Sequence, residues 1–341
     1  MRKYHYIISE QCNMKCSYCN VDVDNLTKLS NVQFDNFYQT INQQEEYDFD
    51  IFGGEPFLQI KEVQHIINIL DKDSRCRRIN ISTNGTVMNN SVKKLSKCSK
   101  LYITISYDGI NQIQNRGNQT IHIYDFIELG VTHGHSMLVG EMFNTCSNNY
   151  LIDNHKHIEK FGITPDLTLV RDVGTWNTEQ SNNFLAQFGE YVKFIIPKIN
   201  NDEYNFKTLP GLIRTYINAI FEYSIKNNAK TDCRCGDTYT SILPSGEIIP
   251  CERFKRNNDV YDIFKNKELK DDVMSACNTC EIRDVCHKGC IYEQLLNNGV
   301  IPELCAIYKG IVKELKFLLQ ETNHKLIKQF IKENGYARNT K

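Results

Sequence analysis

An apolar strand followed by an amphipathic helix recurs six times in the first half of the chain, and this rhythm constrains the fold most. Apolar or β-branched runs predict strands at Tyr4–Ser9, Tyr47–Phe52, Arg78–Ser82, Leu101–Ser106, Ser136–Phe143 and Asp166–Val170. Amphipathic stretches predict helices over Val32–Ile41, Val63–Leu70, Val92–Cys98, Ile121–Leu129 and Tyr150–Phe161. Such alternation forms parallel sheets with right-handed crossovers. Six units are too few for a closed eight-stranded barrel, so we predict an α/β fold with a curved, open (β/α)6 sheet.

Three cysteines follow the first strand, Cys12, Cys16 and Cys19 in the segment C-N-M-K-C-S-Y-C. Thiolates with this C-x3-C-x2-C spacing can hold three irons of a cubane [4Fe–4S] cluster and leave the fourth iron without a protein ligand. Reactive metal sites keep such an open position, whereas structural sites close their coordination. A zinc-knuckle fragment is the alternative, because closely spaced cysteines also bind zinc. Since active sites on parallel sheets lie at the carboxyl ends of the strands, we expect the trio at that end.

Glycine-containing polar segments end the next three strands. They are Phe52-Gly-Gly-Glu-Pro56, Ser82-Thr-Asn-Gly85 and Ser106-Tyr-Asp-Gly109, the last of which leads to Asn115-Arg116-Gly117. Two glycines let a backbone approach a ligand closely, and the Glu55 carboxylate can accept hydrogen bonds from an ammonium group. Each segment taken alone can also be an ordinary turn.

The cysteine trio and the Gly-Gly-Glu-Pro segment together resemble the radical SAM superfamily, and Tyr18 matches the aromatic residue that usually precedes its third cysteine. The resemblance implies that S-adenosylmethionine chelates the open iron and is cleaved reductively to a 5′-deoxyadenosyl radical. It also implies the cofactor contacts: Tyr18 beside the cluster, Gly53, Gly54 and Glu55 for the methionyl amine, Ser106 and Arg116 for its carboxylate, Ser82 and Asn84 for the ribose, and Leu138 and Leu169 for the adenine. The two leucines are equally well explained as core residues.

Eight of the fourteen cysteines lie between Thr231 and Cys305, where helical periodicity fades around a hairpin signal at Ile242–Ile249. The pattern begins with a C-x-C pair at Cys233 and Cys235, and ten residues separate Cys235 from Gly246. Four residues then separate Gly246 from Cys251. After a gap come four cysteines spaced C-x2-C-x5-C-x3-C, from Cys277 to Cys290, and after another gap a final cysteine, Cys305. This pattern resembles the SPASM domain. The resemblance implies two auxiliary [4Fe–4S] clusters, the first held by Cys233, Cys235, Cys251 and Cys290 and the second by Cys277, Cys280, Cys286 and Cys305.

Eight thiolates complete two four-cysteine sites, and sulfur coordination of this kind suits zinc as well as iron–sulfur clusters. Two structural zinc ions are therefore the alternative. The narrow C-x-C departs from the family pattern and leaves open whether Cys233 is a ligand. Of the other cysteines, Cys98 is expected in the core, and Cys146 is a thiol just past the fifth strand.

The predicted organisation is a radical SAM partial barrel over residues 1–200, bridging helices over 201–232, a SPASM domain over 233–310, and a C-terminal helix and tail over 311–341. One long amphipathic helix is expected from Pro302 to about Glu333. Basic and acidic residues are interspersed and the net charge is −1, so the sequence gives no sign of a basic surface that would bind nucleic acid. The absence of a long apolar run and of a signal peptide predicts a cytoplasmic protein without a membrane partner. In that reducing compartment, fourteen cysteines argue for metal sites rather than disulfides.

The two resemblances together imply a peptide-modifying maturase of ribosomal peptides, which makes a thioether, a crosslink or an epimerised residue. The alternative is an anaerobic sulfatase-maturating enzyme, which oxidises Cys or Ser to formylglycine and carries a carboxylate just after the hairpin cysteine. Glu252 occupies that place here, either as a general base or as a surface glutamate. From another class, an iron–sulfur electron carrier or a zinc-stabilised binding protein remains, although neither needs a Gly-Gly-Glu-Pro segment.

The expected partners follow from the same reading. They are a peptide or protein substrate and an electron donor such as flavodoxin or ferredoxin. Because only eleven residues precede Cys12, we expect the substrate to be recognised by the mouth between the domains, by the C-terminal helix, or by a separate leader-binding protein.

Overall fold

The structure is a computed structural model that describes residues 2–19, 21, 28, 30–41, 44–129, 132–139, 150–169, 176–226, 234–286, 289–323 and 325–333. Cys146 and Cys233 lie outside the described residues. The chain divides into two compact units. The first contains Met1–Met137 and Arg234–Asn258, and the second contains Leu138–Cys233 and Asp259–Lys341.

The described chain alternates strands and helices in its first half and is mostly helical afterwards. The strands are β1 (Arg2–Ser9), β2 (Tyr47–Gly53), β3 (Cys76–Thr83), β4 (Leu101–Ile105), β5 (Thr132–Val139), β6 (Asp166–Leu169), β7 (Tyr239–Ile242) and β8 (Ile248–Ile249). The helices are α1 (Asn31–Thr40), α2 (Ile60–Leu70), α3 (Asn90–Leu95), α4 (Gln112–Arg116), α5 (Ile123–Glu128), α6 (Tyr150–Glu159), α7 (Thr178–Asn200), α8 (Gly211–Lys226), α9 (Asn258–Lys265), α10 (Lys267–Val273), α11 (Ile291–Leu296), α12 (Pro302–Glu321) and α13 (Lys325–Glu333).

The sheet of the first unit has the strand order β5-β4-β3-β2-β1-β7-β8. Neighbours from β1 to β5 are parallel, and β7 pairs in parallel with β1 before it turns back into β8. The last residues of β5 belong to the second unit, which also contains β6. The predicted α/β fold with an open parallel sheet and flanking helices is confirmed. The pairing of β7 with β1, however, was not predicted, because it joins segments more than two hundred residues apart.

Alternation along the strands separates an apolar face from a polar one. On the face that packs against α1 and α2, β1 buries Tyr4, Tyr6 and Ile8, and β3 buries Ile79 and Ile81. The opposite face carries polar residues in matching register across four strands, namely Ser241, His5, Asp50 and Asn80. Burial of one face by helices fixes the register, because a slip of one residue would turn every apolar side chain to the polar side.

The largest differences from the predicted boundaries are in the fifth strand and the last helix. The fifth strand begins at Thr132 rather than at Ser136, because pairing with β4 starts there, with Thr132 opposite Ile103. The prediction of a single C-terminal helix is wrong, because α12 ends at Glu321 and a separate helix, α13, begins at Lys325. Asn323 between them has a φ of 47°, a left-handed conformation that interrupts a helix.

The second unit is built on the long helices α7 and α12. Gly310 of α12 lies so close to α7 that a Cβ there would be 2.2 Å from Cδ2 of Leu185. His155 of α6 is fully buried, and its two ring nitrogens lie 2.7 and 2.8 Å from the hydroxyls of Tyr191 and Tyr204. This imidazole is therefore fully satisfied and structural. Across the described helices of both units, none combines the length and the apolar composition needed to cross a membrane.

A buried carboxylate, Asp73, lies at the amino end of the sheet in the first unit. Asp73 accepts hydrogen bonds from the hydroxyls of Tyr47 at 2.7 Å and Tyr38 at 2.9 Å, and Arg75 pairs with it at 2.6 Å. Tyr47 is fully buried, whereas Tyr38 is half-buried. The two hydroxyls thus donate to the same oxygen in different surroundings.

We expect Tyr47→Phe to lower the free energy of unfolding by about 1.5–3 kcal/mol, because a buried hydrogen bond to a charged group is lost. The matched variant Tyr38→Phe removes a donor to the same carboxylate at a wetter position and should cost less than about 1 kcal/mol. Denaturant unfolding under anaerobic, reducing conditions measures both. Equal losses would contradict the role of burial.

Candidate active site

The turn after β2 lies directly on the segment that follows β1. The N–H of Gly54 donates to the carbonyl of Ser9 at 2.8 Å, and the N–H of Glu55 donates to the carbonyl of Gln11 at 2.8 Å. A Cβ on Gly54 would be 2.2 Å from the Gln11 oxygen and 2.3 Å from the Glu10 oxygen. Only glycine fits this approach, so the predicted closeness of the Gly-Gly backbone is directed at the cysteine segment itself.

The Glu55 side chain is 1% exposed and ties the end of β2 to the end of β3. Its Oε1 accepts hydrogen bonds from Phe57 N at 3.0 Å and Thr83 Oγ1 at 2.8 Å, and its Oε2 accepts from Asn84 N at 2.7 Å. Burial raises the pKa of Glu55 to about 7, although these hydrogen bonds act against the rise. The carboxylate therefore has a structural task here, and its contact with a methionyl amine stays a prediction.

The three cysteines of the trio lie on one loop after β1. The Cys12 sulfur accepts from Met14 N at 3.4 Å and Asn84 Nδ2 at 3.6 Å, and Cys19 N donates to Cys16 O at 3.0 Å. Burial raises the pKa of Cys16 to about 11, Arg116 opposes the rise, and the charges of Cys19 and Cys12 add to it. The three thiols are thus within electrostatic reach of one another.

This donor set fits a cubane cluster with an open position. Three thiolates from a single loop can each bind a different iron, which leaves the fourth iron for a small chelating ligand. In the described part of the chain, no three Cys, His, Asp or Glu side chains are grouped around one point as a single metal ion requires.

Asp108, just after β4, is fully buried beside the loop of the trio. Its Oδ2 accepts from the Tyr18 hydroxyl at 2.7 Å and from Asn115 Nδ2 at 3.1 Å. Its Oδ1 is 3.1 Å from Arg116 Nε, an ion pair whose geometry is not that of a hydrogen bond. The carbonyl of Asn115 accepts from Ser17 N at 2.8 Å. Asp108 and α4 therefore hold the two residues that follow Cys16.

Arg116 lies between Asp108 and the cluster loop and is 7% exposed. Its Nη1 is 3.9 Å from Cys16 Sγ, and its guanidinium lies 5.2 Å from the centre of the Tyr18 ring. The charge of Arg116 is thus already paired within the protein. Its predicted contact with the methionyl carboxylate stays a prediction.

The remaining predicted cofactor contacts are distributed over the strand ends. Asn84 is held by Asn13 at 2.9 Å and Thr86 at 2.7 Å. Ser82 is half-buried on the polar face of β3, and Ser106 donates its N–H to the carbonyl of Thr83 at 2.8 Å. Leu169 of β6, in the second unit, is 4% exposed. Leu138 is on β5, whose side chains lie outside the described residues.

Glu252, just past the hairpin of β7 and β8, is half-buried beside the polar face of the first-unit sheet. Its Oε2 accepts from Ser241 Oγ at 2.9 Å and lies 3.4 Å from the Tyr239 hydroxyl. Burial acts to raise the pKa of Glu252, but the nearby charge of His5 and hydrogen bonds outweigh it, and the net pKa is lowered. The side chain is therefore integrated in a polar cluster.

His5 joins Glu252 to an acidic residue on β2. It is 8% exposed, and neither ring nitrogen has a hydrogen-bond partner among the described residues. Its Nδ1 is 3.6 Å from Asp50 Oδ2, an ionic contact, and Lys3 pairs with the same oxygen at 2.7 Å. We call Lys3, His5, Asp50, Ser241 and Glu252 the lateral polar cluster. Buried polar nitrogens of this kind are paired with an ordered water or a ligand.

The cysteines of the second set fall in both units. Cys277, Cys280, Cys286, Cys290 and Cys305 line one cavity of the second unit, which encloses about 510 Å³ including some open solvent. Burial raises the pKa of Cys305, and the charges of Cys277 and Cys280 add to the rise. Cys235 and Cys251 belong to the first unit. The assignment of these thiols to two auxiliary clusters stays a prediction.

Sequence reasoning missed Asp108, Thr83 and His5. Asp108 and Thr83 lie within the motifs that were singled out, but their partners are far away in sequence. His5 shows a weak signal, since it is a polar residue between the apolar-face residues Tyr4 and Tyr6 of a strand.

Comparison with known proteins decides the family of this part of the chain. Residues 6–173 match the family model of the Radical SAM superfamily. This region is a radical SAM domain. The domain implies binding of S-adenosylmethionine and one [4Fe–4S] cluster, in agreement with the thiol trio and the Gly-Gly-Glu-Pro turn.

Curated relatives match this chain over part of their length. A probable GTP 3′,8-cyclase of Methanococcus maripaludis strain C6 is 26% identical over 117 residues, which are 33% of this chain and 39% of the relative. The GTP 3′,8-cyclase of Aquifex aeolicus is 22% identical over 185 residues, or 50% of this chain and 57% of the relative. The matched region thus spans 39% to 57% of the length of these relatives.

Solved structures share the fold over more of the chain. Native anSMEcpe with bound AdoMet and Cp18Cys peptide has a TM-score of 0.73 at 16% identity and covers 94% of this chain and 98% of its own. Streptococcus suis SuiB bound to the precursor peptide SuiA has a TM-score of 0.58 at 17% identity, with coverage of 84% and 71%. At these identities the likeness establishes the fold.

We expect Gly54→Ala to abolish loading of the cluster of the radical SAM domain, because the added methyl group would meet two backbone oxygens and displace the cysteine loop. The measurement is anaerobic reconstitution followed by formation of 5′-deoxyadenosine from S-adenosylmethionine. The matched control is Gly189→Ala in α7, where the new Cβ has only an ordinary contact, 3.6 Å from Glu314 Oε2. Normal loading of Gly54→Ala would show that the close approach is dispensable.

Proposed function

We propose that the chain is a radical SAM enzyme that modifies a ribosomally made peptide by forming a thioether, a crosslink or an epimerised residue. The observation that carries this proposal is the extent of the structural likeness. A SAM- and peptide-bound structure covers 94% of this chain, well beyond the matched domain of residues 6–173. SuiB, bound to its precursor peptide, is similar over 84%.

The proposed roles of the chain's residues follow from the site. Cys12, Cys16 and Cys19 would hold the cluster, and Glu55 keeps the turn beside them in place through its buried hydrogen bonds. When bound, the cluster and S-adenosylmethionine supply a 5′-deoxyadenosyl radical that removes hydrogen from an unreactive C–H bond. The residues of the chain then have to orient a peptide and accept the proton that it releases.

The lateral polar cluster suits these two tasks. His5 offers a buried ring nitrogen without a hydrogen bond, which can bond to a peptide amide. Glu252, whose pKa is lowered overall, is a carboxylate that can accept a proton from the peptide as its new bond forms. Ser241 keeps that carboxylate in position through its hydroxyl.

Glu252 also favours a second candidate, the sulfatase-maturating reaction, in which a Cys or Ser of a protein becomes formylglycine. A half-buried carboxylate directly after Cys251 stands where that family places its acidic residue. Both candidates use the same radical step and differ in the substrate and in the bond formed.

The decisive experiment is turnover of a peptide by the reconstituted full chain with S-adenosylmethionine and dithionite. Peptides from short reading frames beside the gene, SuiA and Cp18Cys peptide are the substrates compared. We expect a neighbouring peptide to stimulate 5′-deoxyadenosine formation and to lose two hydrogens, or to take up deuterium from heavy water. Conversion of Cp18Cys peptide to an aldehyde instead would favour the second candidate, and nucleoside without any peptide product would contradict both.

Glu252→Gln should lower product formation by about 10²–10⁴-fold, since a general base is lost, while cleavage of S-adenosylmethionine continues. The ratio of product to 5′-deoxyadenosine, measured by mass spectrometry, is the readout. Glu247→Gln changes an exposed glutamate of the hairpin that precedes Glu252; it is the matched control and should keep that ratio. An unchanged ratio in Glu252→Gln would remove Glu252 from the mechanism.

The cavity of the second unit supports an auxiliary cluster there. The reconstituted chain should bind about twelve irons, from three cubanes of four. We expect Cys305→Ala to lose about four of them, because the auxiliary cluster proposed on Cys277, Cys280, Cys286 and Cys305 would lose one of its four ligands. Cys98→Ala, a buried thiol that donates to Asp71 at 3.1 Å, should bind as much iron as the wild type. Zinc in place of iron in the wild type would contradict the proposal.

A further inference from the structure

We propose that Asp108 and Arg116 are positioning residues that set the reduction potential of the cluster on Cys12, Cys16 and Cys19, through the contact of Arg116 with Cys16. The proposal rests on the radical SAM domain and not on the identity of the substrate. It can therefore hold even if the peptide-modifying function is wrong.

The first argument is the position of the Arg116 charge. Its Nη1 is 3.9 Å from Cys16 Sγ, and the side chain is 7% exposed, so little water screens the guanidinium from the sulfur. Hydrogen bonds to the sulfurs and net charge nearby are two of the factors that set the potential of an iron–sulfur cluster. A fixed cation at a ligating thiolate stabilises the reduced cluster, which carries one more negative charge.

The second argument is that Arg116 is already paired. Asp108 is fully buried, and its Oδ1 is 3.1 Å from Arg116 Nε. The buried ion pair fixes the guanidinium beside Cys16, so its charge acts on the sulfur from one position.

The third argument is that the same carboxylate fixes the loop that carries Cys16. Asp108 Oδ2 accepts from the Tyr18 hydroxyl at 2.7 Å, and Asn115, which also donates to Asp108, accepts from Ser17 N at 2.8 Å. The two residues after Cys16 are thus both tethered to this group. Outer partners of this kind orient metal ligands and tune the metal.

The charges of the pair predict shifts of opposite sign. Arg116→Gln removes a positive charge beside Cys16 and should make the potential more negative. Asp108→Asn leaves the Arg116 charge uncompensated and should make the potential more positive. Arg116→Lys keeps the charge and should retain a potential close to that of the wild type.

The experiment is a redox titration of the full, anaerobically reconstituted chain followed by electron paramagnetic resonance. The relevant signal is the one that changes on addition of S-adenosylmethionine and is lost when Cys12, Cys16 and Cys19 are all changed to Ala. For Arg116→Gln, we expect the reduction equilibrium of that cluster to become at least tenfold less favourable, which is about 59 mV for one electron. For Asp108→Asn, we expect a shift in the opposite direction.

The first unit contains a matched control. Arg75 pairs with the buried Asp73, which also accepts a hydrogen bond from the buried hydroxyl of Tyr47. This group repeats the Asp, Arg and Tyr arrangement at the amino end of the sheet, with no contact to the cysteine trio among the described residues. Arg75→Gln should leave the potential unchanged even if it lowers stability.

Two results would overturn the proposal. The first is an unchanged potential in Arg116→Gln together with at least tenfold weaker binding of S-adenosylmethionine, which would make Arg116 its carboxylate ligand. The second is an unchanged potential in Asp108→Asn, which would make the pair merely structural. If Arg116→Gln fails to load the cluster, Asp108→Asn and Arg116→Lys decide: a positive shift in the former with a near-normal value in the latter supports the proposal, and any other pattern overturns it.

Discussion

The backbone contact between the ends of β1 and β2 is the constraint on which the site depends. Two hydrogen bonds join Gly54 and Glu55 to the carbonyls of Ser9 and Gln11, at a separation that only glycine permits. Because Glu55 is held there, its carboxylate reaches the end of β3 and meets Thr83 and the N–H of Asn84. The cysteine loop therefore leaves the sheet from a rigid edge formed by three strands.

Two buried carboxylates organise this edge in different ways. Glu55 is surrounded by neutral donors, and burial raises its pKa. Asp108 is fully buried beside Arg116 and receives the hydroxyl of Tyr18. Burial of a charge is costly unless it is paired or hydrogen-bonded, so each carboxylate holds its neighbours in one arrangement. The loop of the trio is thus positioned by a neutral network on one side and by a charge pair on the other.

The lateral polar cluster depends on the sheet edge formed by β7. Because β7 pairs with β1, Ser241 comes opposite His5, and Glu252 follows close to both. The same pairing brings Cys235 and Cys251 into the first unit, although they lie more than two hundred residues after the cysteine trio. The five thiols of the cavity are confined to the second unit. The distribution of the second cysteine set is therefore a consequence of sheet topology.

The local sequence determined what local chemistry can specify. Alternation of apolar residues predicted the first six strands, and the spacing of Cys12, Cys16 and Cys19 indicated an open cluster site, because both signals are contained in short segments. Only the tertiary structure decided that β7 lies beside β1, that Asn323 breaks the last helix, and that Arg116 pairs with Asp108 near Cys16. These features rest on contacts between distant residues or on a backbone conformation set by packing, and a single sequence carries no record of either.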